Sequence, residues 1–269
     1  MAPNNLLYVD QASRSFPLLF PVDSSKSWGN ASSSHQYGRD AKAALTEARG
    51  RIATALSLPM SGSPESMSKQ IIFTSGGTES NNLVLQQPTW QFIISTATEH
   101  HAVYYTVQYM ANQTDCQVAY LGIDGQGRIR NLDELRQLLN QFSGKTGLVS
   151  LAYVNNETGT ILDVAAVGQV IKEVNIKRSG NNRVYFHTDA VQAPGHVPMD
   201  MGSTGPLSQV DLLSLSAHKF HGPEGVGILV CRLPSILNKP LMFGGMQHGG
   251  LRPGTEAMHR HFFRNDTSV

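Results

Sequence analysis

The sequence predicts an α/β protein with a mostly parallel sheet covered by helices on both faces. Short apolar, β-rich runs alternate along the chain with segments of helical periodicity, and glycine-bearing turns separate them. The chemically distinctive side chains fall near the ends of the apolar runs, where sheets of this kind place their ligands.

In chain order, Ala41, Ala44, Leu45, Ala48, Ile52, Ala55 and Leu56 recur at helical spacing and predict a helix over 39–56, one face against the sheet. The same pattern recurs over 132–142 and 164–174, and a helix-compatible stretch follows the glycine pair at 76–77. Strands are predicted over 71–73, 92–95, 118–121, 148–154, 184–186, 210–215 and 226–231. Residues 57–69, rich in Ser, Pro and Met, read as a surface loop, 178–183 as a polar turn, and 199–207 as a loop able to move. There is no internal repeat and no low-complexity tract.

With 40% hydrophobic and 15% charged residues in a chain of 269, a substantial core can be buried and disorder is excluded. A net charge of +1 without a Lys/Arg run argues against a nucleic-acid partner, and no apolar stretch approaches the roughly 20 residues that span a bilayer. Cys116 and Cys231 each adjoin an apolar run and read as free, inert thiols. No signal or transit peptide is evident, so a cytoplasmic location is expected. His248, His259 and His261 show no ligand spacing with a carboxylate or cysteine and read as solvated tail histidines, so no metal is expected.

Four short segments carry chemistry. In Ser214-Leu-Ser-Ala-His-Lys219, a lysine lies between an apolar strand pattern and a Gly/Pro turn. Lys219 can hold the aldehyde of a cofactor such as pyridoxal phosphate while Ser216 and His218 hold its phosphate, or it can be an ordinary surface lysine. Gly76, Gly77 and Thr78 join a strand to a helix start, where free N–H groups and the helix dipole favour an anion. Asp189 ends a strand, as a partner for a pyridine nitrogen would, and Gln192 follows at the range of the phenolic oxygen. His100 closes another strand, where an imidazole can lie on a ring; each of these is also an ordinary cap or turn residue.

In this order the segments resemble the NifS-like cysteine desulfurases and selenocysteine lyases of the class V aminotransferase group. The resemblance runs from about Tyr8 to Glu256, through Trp28-Gly-Asn-Ala-Ser-Ser-Ser-His35, Phe73-Thr-Ser-Gly-Gly-Thr-Glu-Ser-Asn-Asn82, Val154-Asn-Asn-Glu-Thr-Gly-Thr160, Phe186-His-Thr-Asp-Ala-Val-Gln192, Ala217-His-Lys219 and Leu251-Arg-Pro-Gly-Thr-Glu256. It implies the large domain of a fold type I pyridoxal-phosphate enzyme, with Lys219 as Schiff-base lysine and His100 as stacking catalytic imidazole. It makes Asp189 the pyridinium partner, Gln192 the phenolate partner, and Gly77, Thr78, Ser216 and His218 the phosphate site. Asn155 becomes a substrate and cofactor contact, and Thr255 a residue reaching the phosphate of a partner subunit in a homodimer. The implied substrate is cysteine or selenocysteine, converted to alanine, with a sulfur- or selenium-acceptor protein as a further partner.

Two departures accompany the resemblance. Gln11-Ala-Ser-Arg-Ser-Phe16 replaces the family's Asn-Ala-Thr-Thr segment, giving a shortened N-terminal segment over 1–30 with its first helix lost. The family pattern stops at Glu256, so 31–256 is expected to be the cofactor-binding domain. Residues 257–269 then form a divergent tail in place of the small domain that carries the catalytic cysteine loop and the carboxylate-binding arginine. Three readings follow: a desulfurase or lyase, inactive as given if that domain is missing; a non-catalytic cofactor-binding or dimerising protein; or another class V enzyme such as an aminotransferase.

Overall fold

A computed structural model describes residues 12–15, 29–59, 68–180 and 182–258. The expectations for a shortened N-terminal segment, the centre of the 57–69 loop, His259, His261 and the tail therefore fall wholly or largely outside the described residues.

Helix α1, Gln36–Ala55, begins three residues before the predicted start because the His35 ring caps it, Nδ1 accepting from the Gly38 N–H at 3.3 Å. Strand β1 (Ile71–Thr74) leads into α2 (Gly77–Leu85), β2 (Phe92–Thr96) into α3 (His101–Gln113), and β3 (Gln117–Leu121) into α4 (Leu132–Gln141). Then follow β4 (Gly147–Ala152), α5 (Val164–Ile176), β5 (Val184–Asp189), β6 (Leu212–Ser216) and β7 (Gly227–Cys231). Asn131 and Asp163 cap α4 and α5, their side-chain oxygens accepting from Asp133 and Ala166 N–H at 2.8 and 2.9 Å.

All seven predicted strands are present. The run over 148–154 stops at Ala152, after which Val154 makes an isolated bridge to Ile161. The helix over 101–113 is one the sequence reading did not identify.

The strands form one sheet in the order β1-β7-β6-β5-β4-β2-β3. The ladder from β6 to β3 is parallel, whereas β7 runs antiparallel to both neighbours. Alternation along each strand divides the apolar side chains between two layers. Phe92 and Ile94 face α1, α4 and α5, and Ile93 between them packs with α2 and α3. The parallel strands thus all deliver their carboxyl ends to one edge.

The loop over 199–207, read as able to move, is held in place. The Met201 N–H donates to the Leu56 carbonyl at 2.8 Å, and Arg232 donates to the carbonyls of Met201, Leu207 and Val210. His248, read as solvated, is buried: its Nδ1 lies 3.3 Å from Arg49 Nη2 and its ring is edge-on to Phe73. Among the described residues no helix is long and apolar enough to cross a membrane, and no three His, Cys, Asp or Glu side chains are grouped to hold a metal.

Candidate active site

The turns after β1, β2, β4, β5 and β6 enclose a cavity of about 460 Å3. Eight of the ten sequence-predicted site residues line it: Gly77, Thr78, His100, Asp189, Gln192, Ser216, His218 and Lys219.

One end is built by the start of α2. Gly76 and Gly77 lie against β6 and the turn after β5: a Cβ added to Gly76 would stand 3.8 Å from Ser216 Oγ, and one added to Gly77 only 2.5 Å from Val191 Cγ2. Glycine therefore allows the helix N-terminus to reach the cavity, where the free N–H groups of a first helical turn suit an anion. Glu79, in the first turn, would repel an anion were it not engaged. Burial alone would raise its carboxyl, but bonds from Arg252, at 3.0 Å, and from the Ser75 N–H, at 2.7 Å, outweigh that and hold it below the usual carboxylate range. Ser216 Oγ and His218 Nδ1 are 3.2 Å apart, and burial, then the neighbouring Lys219 charge, lowers the His218 pKa.

Asp189 closes β5 and is 6% exposed. Its Oδ1 accepts from the Val191 N–H at 3.0 Å and its Oδ2 from Asn81 Nδ2 at 2.7 Å. Burial pushes its carboxyl up, against the pull of these donors and of the His100 and Lys219 charges. Asn81 is a lining residue to which the sequence reading gave no role; the signal was available, since it sits four residues beyond Gly77, one turn along the same helix face.

His100 is the N-cap of α3 and its Nδ1 accepts from the Ala102 N–H at 3.1 Å, which leaves Nε2 as the nitrogen that carries a proton. Lys219 ends a 3-10 turn, and its Nζ donates to the Ala12 carbonyl, which also accepts from Gln192 Nε2 at 2.7 Å. The strap carrying Ala12 is fixed by Ser15, whose N–H and hydroxyl both donate to the His218 carbonyl, at 3.0 and 2.9 Å.

Two predicted residues lie outside the lining. Asn155 organises the turn after β4 instead: its Oδ1 accepts from the Glu157 and Thr158 N–H groups at 2.9 and 3.0 Å, and its Nδ2 donates to the Thr98 carbonyl at 2.8 Å. Its neighbours Asn156 and Glu157 line the cavity. Thr255 is exposed on the segment that Arg252 anchors to Glu79.

Both cysteines lie on the opposite edge of the sheet. Cys116 precedes parallel strand β3, and Cys231 ends antiparallel β7, paired with Leu212 at the start of β6. Both are buried, and burial pushes their thiols up to about 11 and about 12.

The sheet and this cavity are those of an α/β protein that takes its ligand at the carboxyl ends of parallel strands. Residues 23–252 match the family described as aminotransferase class-V, and the chain belongs to that family. Its members depend on pyridoxal phosphate. The chain is 39% identical over 235 residues to the cysteine desulfurase IscS of Dictyoglomus turgidum, covering 85% of this chain and 53% of that one. Among solved structures it is similar to a NifS-like protein, at 33% identity and a TM-score of 0.75, covering 94% of this chain and 66% of the other. It is likewise similar to SspA in complex with cysteine, at 30% identity and a TM-score of 0.76, covering 94% and 70%. The fold is thus that of the NifS-like type I pyridoxal-phosphate enzymes, and the chain spans about half the length of the curated relatives it matches.

The lining fits that cofactor by its donor chemistry. A helix N-terminus with hydroxyl and imidazole groups suits a phosphate, a buried carboxyl suits a ring nitrogen, and an amine stands on the same cavity wall.

Proposed function

We propose that this chain is the cofactor-binding part of a cytoplasmic, homodimeric, pyridoxal-phosphate-dependent cysteine desulfurase or selenocysteine lyase, its domain spanning 31–256. One observation carries the reading: an amine, a buried carboxyl, an imidazole and an anion cradle, drawn from the turns after β1, β2, β5 and β6, line one cavity.

Pyridoxal phosphate, when bound, supplies an electron sink for a carbanion at the substrate Cα. Gly77, Thr78, Ser216 and His218 hold its phosphate. Asp189 keeps a positive charge on the ring nitrogen, and Gln192 exchanges the Ala12 carbonyl for the phenolic oxygen. Lys219 would hold the aldehyde carbon, and its Nζ is the amine that would take the substrate Cα proton. His100 would stack on the ring, with Nε2 available to pass a proton. Asn156, placed in the cavity where Asn155 was expected, positions the substrate. Thr255 reaches the phosphate of a partner subunit. Sulfur or selenium would leave toward an acceptor other than Cys116 and Cys231, neither of which lies on the cavity side.

Cofactor binding without turnover is the second reading, and the position of Cys116 and Cys231 favours it. Borohydride treatment of the protein loaded with pyridoxal phosphate tests the shared core: the label is expected on Lys219 and absent from Lys219→Ala, and a peptide map placing it on another lysine overturns both readings. Alanine released from cysteine or selenocysteine, measured against Lys219→Ala, separates the two.

A further inference from the structure

A second buried carboxyl adjoins residues that line the cavity. Glu99 is 8% exposed, between the end of β2 and the α3 cap His100. Its Oε1 accepts from Thr96 Oγ1 at 2.7 Å, while its buried Oε2 makes no well-formed hydrogen bond among the described residues. It packs toward Ala152, the β4 residue paired with Asp189.

The surroundings sort the two acids. Asp189 accepts from both Asn81 and the Val191 N–H and lies in the field of the His100 and Lys219 charges. Glu99 has the Thr96 hydroxyl, a weaker contact with the Ala152 backbone and a carboxylate neighbour, and its Oε2 has no well-formed partner among the described residues. Two buried carboxyls that act on each other do not both ionise, and the charge settles on the one with more donors.

We infer that Glu99 is a positioning residue that stays protonated, so that the negative charge of the two acids rests on Asp189 alone. This deepens the function proposed above and rests on it for the identity of the ligand. An ionised Glu99 would add a second buried negative charge within the field of Asp189 and oppose the ionisation of Asp189. Burial, followed by the Asp189 charge, pushes the Glu99 carboxyl up to about 8, with Thr96 and the Ala152 backbone offsetting only part. The titratable groups concerned are Asp189 on β5, acting directly on Glu99, and His100 and Lys219, acting on Asp189.

The test compares Glu99→Gln with the unsubstituted protein, both free of cofactor, by melting temperature from about pH 5 to about pH 9. An acid whose folded pKa is raised stabilises fully below its ordinary value of 4.5, and that contribution is lost as pH rises toward about 8. Glutamine does not titrate, so the variant is expected to gain steadily on the parent as pH rises to about 8 and to hold its lead beyond. In an Asp189→Asn background the gain is expected to shrink. A difference independent of pH, or a growing deficit of the variant, would mean that Glu99 is ionised and overturn the inference. Carbon-13 NMR of the Glu99 carboxyl in the unsubstituted protein gives the same answer should the variant not fold: a midpoint near 8 supports it, one near 4.5 sinks it. Because these measurements contain no cofactor, they read the proton on Glu99 whatever Lys219 carries. In the loaded protein, Glu99→Gln is expected to retain borohydride-fixed label on Lys219.

Discussion

Asn81 donates from its side-chain amide to Asp189 Oδ2 at 2.7 Å, joining residues 108 positions apart in the chain. Both are buried. The bond ties the helix that carries the anion cradle to the carboxyl at the end of β5, so the two ends of a ring-shaped ligand would be held at a fixed separation.

Replacing Asn81→Ala removes a hydrogen bond to an ionisable partner, a loss of about 1.5–3 kcal/mol in such cases. Asp189 then keeps the Val191 N–H alone and is free to turn. Deuterium exchange at the Cα of an amino-acid substrate is expected to slow by tenfold or more, while borohydride labelling of Lys219 persists. Unchanged exchange would show that Asp189 is held by its backbone contact.

Gly77→Ala tests the cradle. The new Cβ would stand 2.5 Å from Val191 Cγ2, so the Val191 side chain must turn away or α2 and the turn after β5 must move apart. Overpacking of this kind costs about 1–3 kcal/mol. A lower melting temperature with weaker binding of inorganic phosphate is expected; wild-type affinity for phosphate would place the anion site elsewhere.

His187 lies between two serines on neighbouring strands, with Nδ1 2.8 Å from Ser150 Oγ and Nε2 3.0 Å from Ser214 Oγ. Burial pushes its pKa down to about 3. Between about 6.5 and about 3 the unfolded chain binds a proton that the folded chain refuses, so this histidine removes stability as pH falls through that window. His187→Gln, able to bond both hydroxyls, is expected to flatten the acid limb of the stability profile. An acid limb of the same slope would assign it to other groups.

Cys116 and Cys231 are expected to resist alkylation by iodoacetamide at neutral pH in the folded protein and to react fully in denaturant. Their thiols are buried, and little thiolate forms when burial pushes them to about 11 and about 12. Rapid native labelling of either would show that it reaches solvent.

The strand positions and the lysine turn were legible because apolar runs bounded by glycine are local signals. Helix α3 was not: its apolar residues Ala102, Val103, Val107 and Met110 alternate with Tyr104, Tyr105 and Tyr109, aromatic on the exposed side as well, which blurs the periodicity. Asn156 was hidden by its identical neighbour, since which of two adjacent side chains faces a cavity depends on the turn that Asn155 builds. The burial of His248 was equally out of reach, because its partners Arg49 and Phe73 lie in distant elements.

Strand β1, which delivers the glycine cradle, has a single neighbour in the sheet, and that neighbour is the last strand, β7. The approach is close: a Cβ on Gly227 would meet Thr74 Oγ1 at 2.3 Å. During synthesis the cradle leaves the ribosome some 150 residues ahead of the strand that fixes it in place. A nascent chain ending before residue 227 therefore presents an unpaired β1, and ligand capture must wait until nearly all of the described fold has emerged.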